Sequence, residues 1–378
     1  MYIPKLLQMM KSRKSNGSFT KVEEVRIIMD FGAPMAETRN GPTFANTSVL
    51  ADGDVFKISF DQSGVYKLDY NFLKDLGVDI DNINPKNLAV YTSEGRAVPE
   101  NLNENRFDDL IEAPIYVQGE SDNSFDSGDF ALFYATGSES WRTIDGEYQY
   151  NKNIYSDLNY AFIKVKSSAG KRISAAETVS NTAFTSSVYN DLQRYEEDKV
   201  NLLGAFSSTQ GTGQLWFGDR YNTIREYDYT DQFDLDGYVA GEDIKVNVAF
   251  AGRCDVNNSK VYLDIGDTTL DKNIFRVTTS GSSISTTRYA SYVDIDESTA
   301  ISNSNGSIVL RYPFQGNVTS EGWLDYLQLI VPKSLEIGAV PILISNQESI
   351  NHTTTALTFS GSPDHIWDIT DVSQVAQT

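Results

Sequence analysis

One cysteine, Cys254, and two histidines, His352 and His365, are all that 378 residues offer of those two side chains. A lone thiol excludes an intrachain disulfide and any multi-cysteine zinc site, so the fold must rest on packing. Two isolated histidines form no HxH or HExxH ligand set. Basic charge is scarce as well. Against 52 Asp and Glu stand 31 Lys and Arg, a net charge of −21, and that field repels nucleic acid phosphates and anionic membrane surfaces. No run approaches the roughly 20 consecutive apolar residues that span a bilayer. Residues 1–19 lack an apolar core of signal-peptide length and a small-residue cleavage site, and are read as following a missing N-terminus. No GxSxG, P-loop or GxGxxG occurs in a strand–turn–helix context, which removes serine hydrolase, nucleotide and dinucleotide readings. Carboxylates are abundant, but spacing singles out no glycosidase pair.

Large apolar side chains are plentiful. Hydrophobic residues make up 40% and aromatics 12%, with 21 Tyr and 19 Phe, enough for cores in about two or three domains. Residues 1–48 form a leading segment with one strand-like run, Val22 to Phe31. A first β-rich domain covers 49–166. There Val55 to Phe60 and Val65 to Tyr70 alternate around Asp61-Gln62-Ser63-Gly64, the pattern of a hairpin. A short helix follows, with Asn71 as its cap and Gly77 as its left-handed stop. Strands resume at Leu88 to Tyr91, Ala113 to Val117, Phe130 to Tyr134 and Tyr160 to Val165. Residues 167–187, rich in Ser, Ala and Thr, read as a linker or long loop. A second β-sandwich domain covers 188–347, with a helical stretch over Tyr189 to Gly204 and strands at Glu242 to Ala249, Lys260 to Ile265, Ser307 to Tyr312 and Leu324 to Val331. Residues 348–378, with a last strand at Ala356 to Phe359, connect onward. The expected class is mainly β: two consecutive sandwich- or barrel-like domains with short helices, the second jelly-roll-like.

Chemistry is thin in this pattern. A cysteine nucleophile needs a general base beside it, and Cys254 precedes both histidines in apolar company, sharing parity with Ile244, Val246, Val248 and Phe250. It reads as a buried small hydrophobe. The acidic loop Asp122-Asn123-Ser124-Phe125-Asp126-Ser127-Gly128-Asp129 repeats oxygen ligands at the spacing Ca²⁺ prefers, which makes Asp122, Asp126 and Asp129 the candidate metal ligands. Its glycine is displaced from the EF-hand position and no bidentate Glu follows, so a plain turn competes with the ion site. Calcium is the one cofactor offered, and none is required. Trp216, Trp323 and Trp367 are expected in packing rather than as sugar platforms.

Collinear blocks from about residue 48 to residue 370 carry a resemblance. They are Ser48-Val49-Leu50-Ala51-Asp52-Gly53-Asp54 leading into Phe56-Lys57-Ile58, Ser63-Gly64-Val65-Tyr66-Lys67-Leu68, Asp109-Leu110-Ile111-Glu112, and Phe125-Asp126-Ser127-Gly128-Asp129-Phe130. Later come Asn153-Ile154-Tyr155-Ser156, Gly170-Lys171-Arg172-Ile173, Trp216-Phe217-Gly218-Asp219-Arg220, Trp323-Leu324-Asp325-Tyr326 and His365-Ile366-Trp367-Asp368. Together these resemble the non-catalytic N-terminal region of type IX secretion system sortases, a gingipain-like cysteine peptidase family.

The resemblance implies a parent enzyme that removes C-terminal sorting domains from cargo and attaches the cargo to surface lipopolysaccharide through an acyl-enzyme. It implies a cell-surface, outer-membrane-associated location. The implied partners are an outer-membrane barrel of the PorV type and secreted cargo proteins. The family's catalytic His-Gly and Ser-Cys motifs are missing, and Cys254 lies before the histidines, the reverse of the family order, so no catalytic residue is assigned. The competing reading is a cell-surface glycan-binding β-sandwich without enzymatic activity.

Overall fold

A computed structural model describes residues 11–13, 19–21, 45–99, 107–176, 182–202, 215–254, 256–277, 290–302, 306–314 and 320–377. Residues Met1–Asn46 and Thr47–Thr378 form separate compact units. In the first, β1 (Lys11–Arg13) pairs antiparallel with β2 (Phe19–Lys21). The strand expected over Val22 to Phe31 lies outside the described residues.

From Val55 the chain is strand after strand: β3 (Val55–Phe60), β4 (Gly64–Asp69), helix α1 (Tyr70–Leu76), β5 (Leu88–Thr92), β6 (Ile111–Ala113), β7 (Ile115–Gln118), β8 (Phe130–Ala135), β9 (Glu139–Ile144), β10 (Glu147–Lys152) and β11 (Asn159–Val165). One sheet has the order β3-β11-β5-β6 and the other β4-β8-β7. Phe60, Leu88, Val90 and Ile163 of the first face Leu68, Ile115 and Phe133 of the second, with Leu73 of α1 closing the same core.

Three local expectations are corrected here. The runs around Asp61–Gly64 are not a hairpin: β3 pairs with β11 and β4 with β8, so the chain crosses from one sheet to the other at this corner. Each strand buries its apolar alternate residues against the shared core, which a direct β3–β4 pair in one sheet would not close. The run Ala113 to Val117 is two strands, because Pro114 has no N–H for the ladder, and the chain changes sheet there. The helix cap is Asp69, whose side chain accepts the Phe72 N–H at 2.9 Å, and Asn71 lies inside α1. Gly77 does adopt the left-handed conformation, with φ 99°.

Two short strands follow, β12 (Ser174–Ala175) and β13 (Phe184–Ser186). The second module comprises β14 (Val188–Glu196), β15 (Arg220–Tyr221), β16 (Glu226–Asp228), β17 (Ile244–Arg253), β18 (Ser259–Ile265), β19 (Thr268–Ile274), β20 (Ser291–Thr299), β21 (Ile308–Arg311) and β22 (Glu321–Ser334). One sheet runs β14-β22-β17-β20 with β15 beside the start of β22, and the other runs β16-β21-β18-β19. Ile244, Val246, Val248 and Phe250 of β17 interdigitate with Val261, Leu263 and Ile265 of β18 in one continuous core. Neither module closes into a barrel among the described residues. The molecule is mainly β, as sandwiches.

The helix expected over Tyr189 to Gly204 is instead β14, all nine residues of which pair with β22. Tyr189, Leu192 and Tyr195 recur at a helical interval of three, but the ladder offered by a fourteen-residue central strand prevails over that local pattern. Finally β23 (Thr355–Leu357), β24 (Trp367–Asp368) and β25 (Ala376–Gln377) bring the tail back. β23 pairs parallel with β13, and β25 pairs parallel with β12, inside the stretch read from sequence as a linker. The Lys171 ammonium donates to the Ser373 carbonyl, tying the same two segments.

Candidate functional site

Cys254 lies just beyond β17 at 1% exposure, its carbonyl accepting the Val277 N–H at 2.8 Å. His352 stacks on Phe184 at 4.6 Å and holds its Nε2 3.5 Å from Glu348. His365 packs on Tyr116 at 4.5 Å. Neither imidazole shares a hydrogen bond with the thiol, so the described residues assemble no Cys–His pair.

In the acidic loop each carboxylate satisfies the loop itself. Asp122 Oδ1 accepts the Ser124 N–H at 3.0 Å, Asp126 Oδ1 accepts the Ser124 hydroxyl at 3.1 Å, and Asp129 Oδ2 accepts the Asp126 N–H at 2.8 Å. Asn123 takes a left-handed φ of 67° between them. Among the described residues, no three His, Cys, Asp or Glu side chains are grouped to hold a metal ion, and the structure does not bring Asp122, Asp126 and Asp129 into one such group. Of the tryptophans, Trp323 is buried, Trp367 is half-buried, and Trp216 is 43% exposed, which corrects the packing expectation at that position.

A concavity of about 1110 Å³ opens where the β9–β10 hairpin meets the second module. The hairpin turns on Asp145 and Gly146, both at positive φ (52° and 84°), the two-residue geometry that suits right-twisted strands. On one face Trp141 lies opposite Tyr150 and Thr143 opposite Tyr148. The first pair meets edge to face at 5.3 Å. This aromatic face rests on β14. The Tyr148 hydroxyl donates to Asn190 at 3.0 Å, and Lys152 pairs with Glu196 at 3.5 Å and Asp198 at 2.6 Å. The Arg194 guanidinium is held between the rings of Tyr150, at 4.4 Å, and Tyr326, at 3.5 Å. At the tip, Gln347 donates to the Gly146 carbonyl at 2.6 Å. The wall opposite β9 is formed by Leu343–Ser345 and by the tail from Trp367 to Val372. Sequence reading passed over this hairpin, although Asp145-Gly146 between two alternating runs is its signal.

Two carboxylates sit along β22, Asp325 buried within the strand and Asp219 half-buried just before β15. Opposite Ala249 and Phe250, β22 presents Tyr326 and Leu324, so Asp325 is an extra residue, a β-bulge. Its carboxylate accepts the Tyr292 hydroxyl at 2.6 Å, and burial pushes its pKa up to about 6. Asp219 accepts hydroxyls from Tyr195 and Tyr229, each at 3.0 Å, and the Lys199 ammonium at 3.1 Å. Both tyrosine hydroxyls are held well above their ordinary range, first by burial and then by neighbouring charge and hydrogen bonds. Asp219 lines a second, smaller pocket of about 520 Å³ with Lys199, Arg220, Tyr227 and Trp323. These groups anchor hydrogen-bond networks rather than pairing as acid and base.

No helix among the described residues is long and apolar enough to cross a membrane. No protein-family model matches the chain, and no curated protein sequence does. Among solved structures, a cycloalternan-forming enzyme from Listeria monocytogenes is 11% identical over 72% of this chain and 22% of that one, at a TM-score of 0.20 that carries no argument. Dimeric latent PorU from Porphyromonas gingivalis is similar in fold, with a TM-score of 0.72 and 17% identity over 88% of this chain, which spans 30% of the length of that PorU chain. The chain therefore has a PorU-like fold.

Proposed function

We propose that this chain is the non-catalytic, β-rich region of a type IX secretion sortase, and that it docks the enzyme to its partners at the cell surface. The observation that carries the reading is the fold likeness to PorU over 88% of this chain, which covers 30% of the PorU chain. The collinear sequence blocks support it independently. The sortase activity itself, removal of sorting domains and attachment of cargo to lipopolysaccharide, belongs in this reading to a peptidase domain outside these residues. The two modules are joined by a hairpin, a stacked arginine and two returning strands, an arrangement that presents large surfaces in one orientation, as a docking region requires. The partners are an outer-membrane barrel of the PorV type and secreted cargo.

Incubating the purified chain with cargo bearing a C-terminal sorting domain tests the division of labour. No cleavage and no transfer are expected. Cleavage that disappears in Cys254→Ala would overturn it, since the buried thiol would then be a nucleophile.

A further inference from the structure

All six residues of β9 line the cleft, and among the described residues β9 pairs with β10 alone. A two-residue turn closes on a hydrogen-bonded pair, here Ile144 with Glu147. Ser140 and Arg142 therefore exchange bonds with β10, whereas the N–H and C=O groups of Glu139, Trp141 and Thr143 point the other way. The Glu139 carbonyl accepts the Ser63 hydroxyl at 3.2 Å. For Trp141 and Thr143 no backbone partner lies on that side among the described residues. Exposed edges are ordinarily blunted by shortness, charge, proline or a covering loop. This one is six residues long, contains no proline, and borders a cavity lined by the described residues.

We propose that the outer edge of β9 binds an extended peptide by strand addition, and that the peptide carries basic side chains. The backbone groups of Trp141 and Thr143 supply the register, as main-chain ladders do in strand-addition complexes. Charge selects the occupant. Five carboxylates line the cleft, those of Asp61, Glu94, Glu139, Asp368 and Asp371, against two guanidiniums, those of Arg142 and Arg194. Both guanidiniums are already engaged: Arg142 lies 3.4 Å from Glu94, and Arg194 lies 2.6 Å from Glu196 and between two tyrosine rings. Glu94 is in turn taken up by Arg96 and Arg142, which leaves the carboxylates of Asp61, Glu139, Asp368 and Asp371 without an ion pair among the described residues, so alternate Lys or Arg residues on the incoming strand are attracted and acidic ones repelled. The inference rests on the geometry of this chain and holds whether or not the parent protein is a sortase.

The test uses the 378-residue chain and a fluorescein-labelled octapeptide alternating lysine with threonine, followed by anisotropy at low salt. Saturable binding is expected. N-methylation of alternate amides along one edge of the peptide should weaken it at least tenfold with its side chains unchanged, and replacing lysine by glutamate should weaken it at least as much. Thr143→Pro removes an outward N–H and no bond to β10, and should also cost at least tenfold. Should that variant misfold, the N-methylated peptide still decides the matter in the wild type. Absence of saturable binding, equal binding of the N-methylated peptide, or tighter binding of the glutamate peptide would each overturn the proposal. So would a concentration-dependent dimer of the chain alone that Thr143→Pro abolishes, since the edge would then belong to a second copy.

Discussion

Asp325 owes its burial to a one-residue insertion in β22, and that insertion gives it a measurable signature. Its folded pKa of about 6 lies above the unfolded value, so the protonated form is the one the fold prefers. The group's contribution to stability is complete below about pH 4 and is lost as pH rises through about 6. The loss is of order 2–3 kcal/mol. Asp325→Asn keeps an acceptor for the Tyr292 hydroxyl and never ionises. Its melting temperature should match the wild type near pH 4 and exceed it by several degrees at neutral pH; a pH-independent difference between the two would contradict the burial of a charge there. Gly322, three residues earlier, answers to shape instead. A Cβ at this position would stand 2.3 Å from the Phe250 ring, so Gly322→Ala should destabilise by about 1–3 kcal/mol in urea unfolding. In the acidic loop the carboxylates are already committed to the turn, and Ca²⁺ is expected to bind weakly at most. A tight calorimetric isotherm lost in Asp126→Ala would contradict this.

Among the elements, the β9–β10 hairpin carries the contact between the modules, and Arg194 between Tyr150 and Tyr326 is its most specific part. A double-mutant cycle of Tyr150→Ala and Arg194→Ala, measured by chemical denaturation, should give a coupling of about 1 kcal/mol; independent effects would mean the stacking is incidental. Elements whose burial alternates within one strand were legible from the sequence, Phe130 to Tyr134 and Lys260 to Ile265 falling within β8 and β18, and so was the mostly apolar run Leu324 to Val331 within the largely buried β22. What was not legible is long-range choice. Alternation tells that Val55 to Phe60 is a strand but not that its partner is β11, 100 residues on, and the sheet crossings at Asp61–Ser63 and Pro114 look like turns in any local window. Likewise β14 is strand only because β22 pairs with it. The cleft was illegible for the same reason: Trp141, Arg194 and Trp367 come from segments distant in sequence, and only the hairpin turn had a local signal.

At the scale of the molecule, residues 47–378 behave as one compact unit with two large cores and a smaller cluster around Phe217 and Trp323, and the returning tail is part of what joins the two modules. Its β23 pairs with β13 and its β25 with β12 and β24, and it sets His365 on Tyr116 of the first module. The two sandwiches together have a PorU-like fold. The central claim, a docking role without chemistry, is tested most directly by the affinity of the purified chain for an outer-membrane barrel of the PorV type, measured at low and at high salt. A docking interface with an apolar centre buries more than about 1,000 Å² and should retain the barrel in both conditions, because salt screens charge and leaves apolar burial intact. Binding absent at both salt concentrations, or present only at low salt, would contradict the claim.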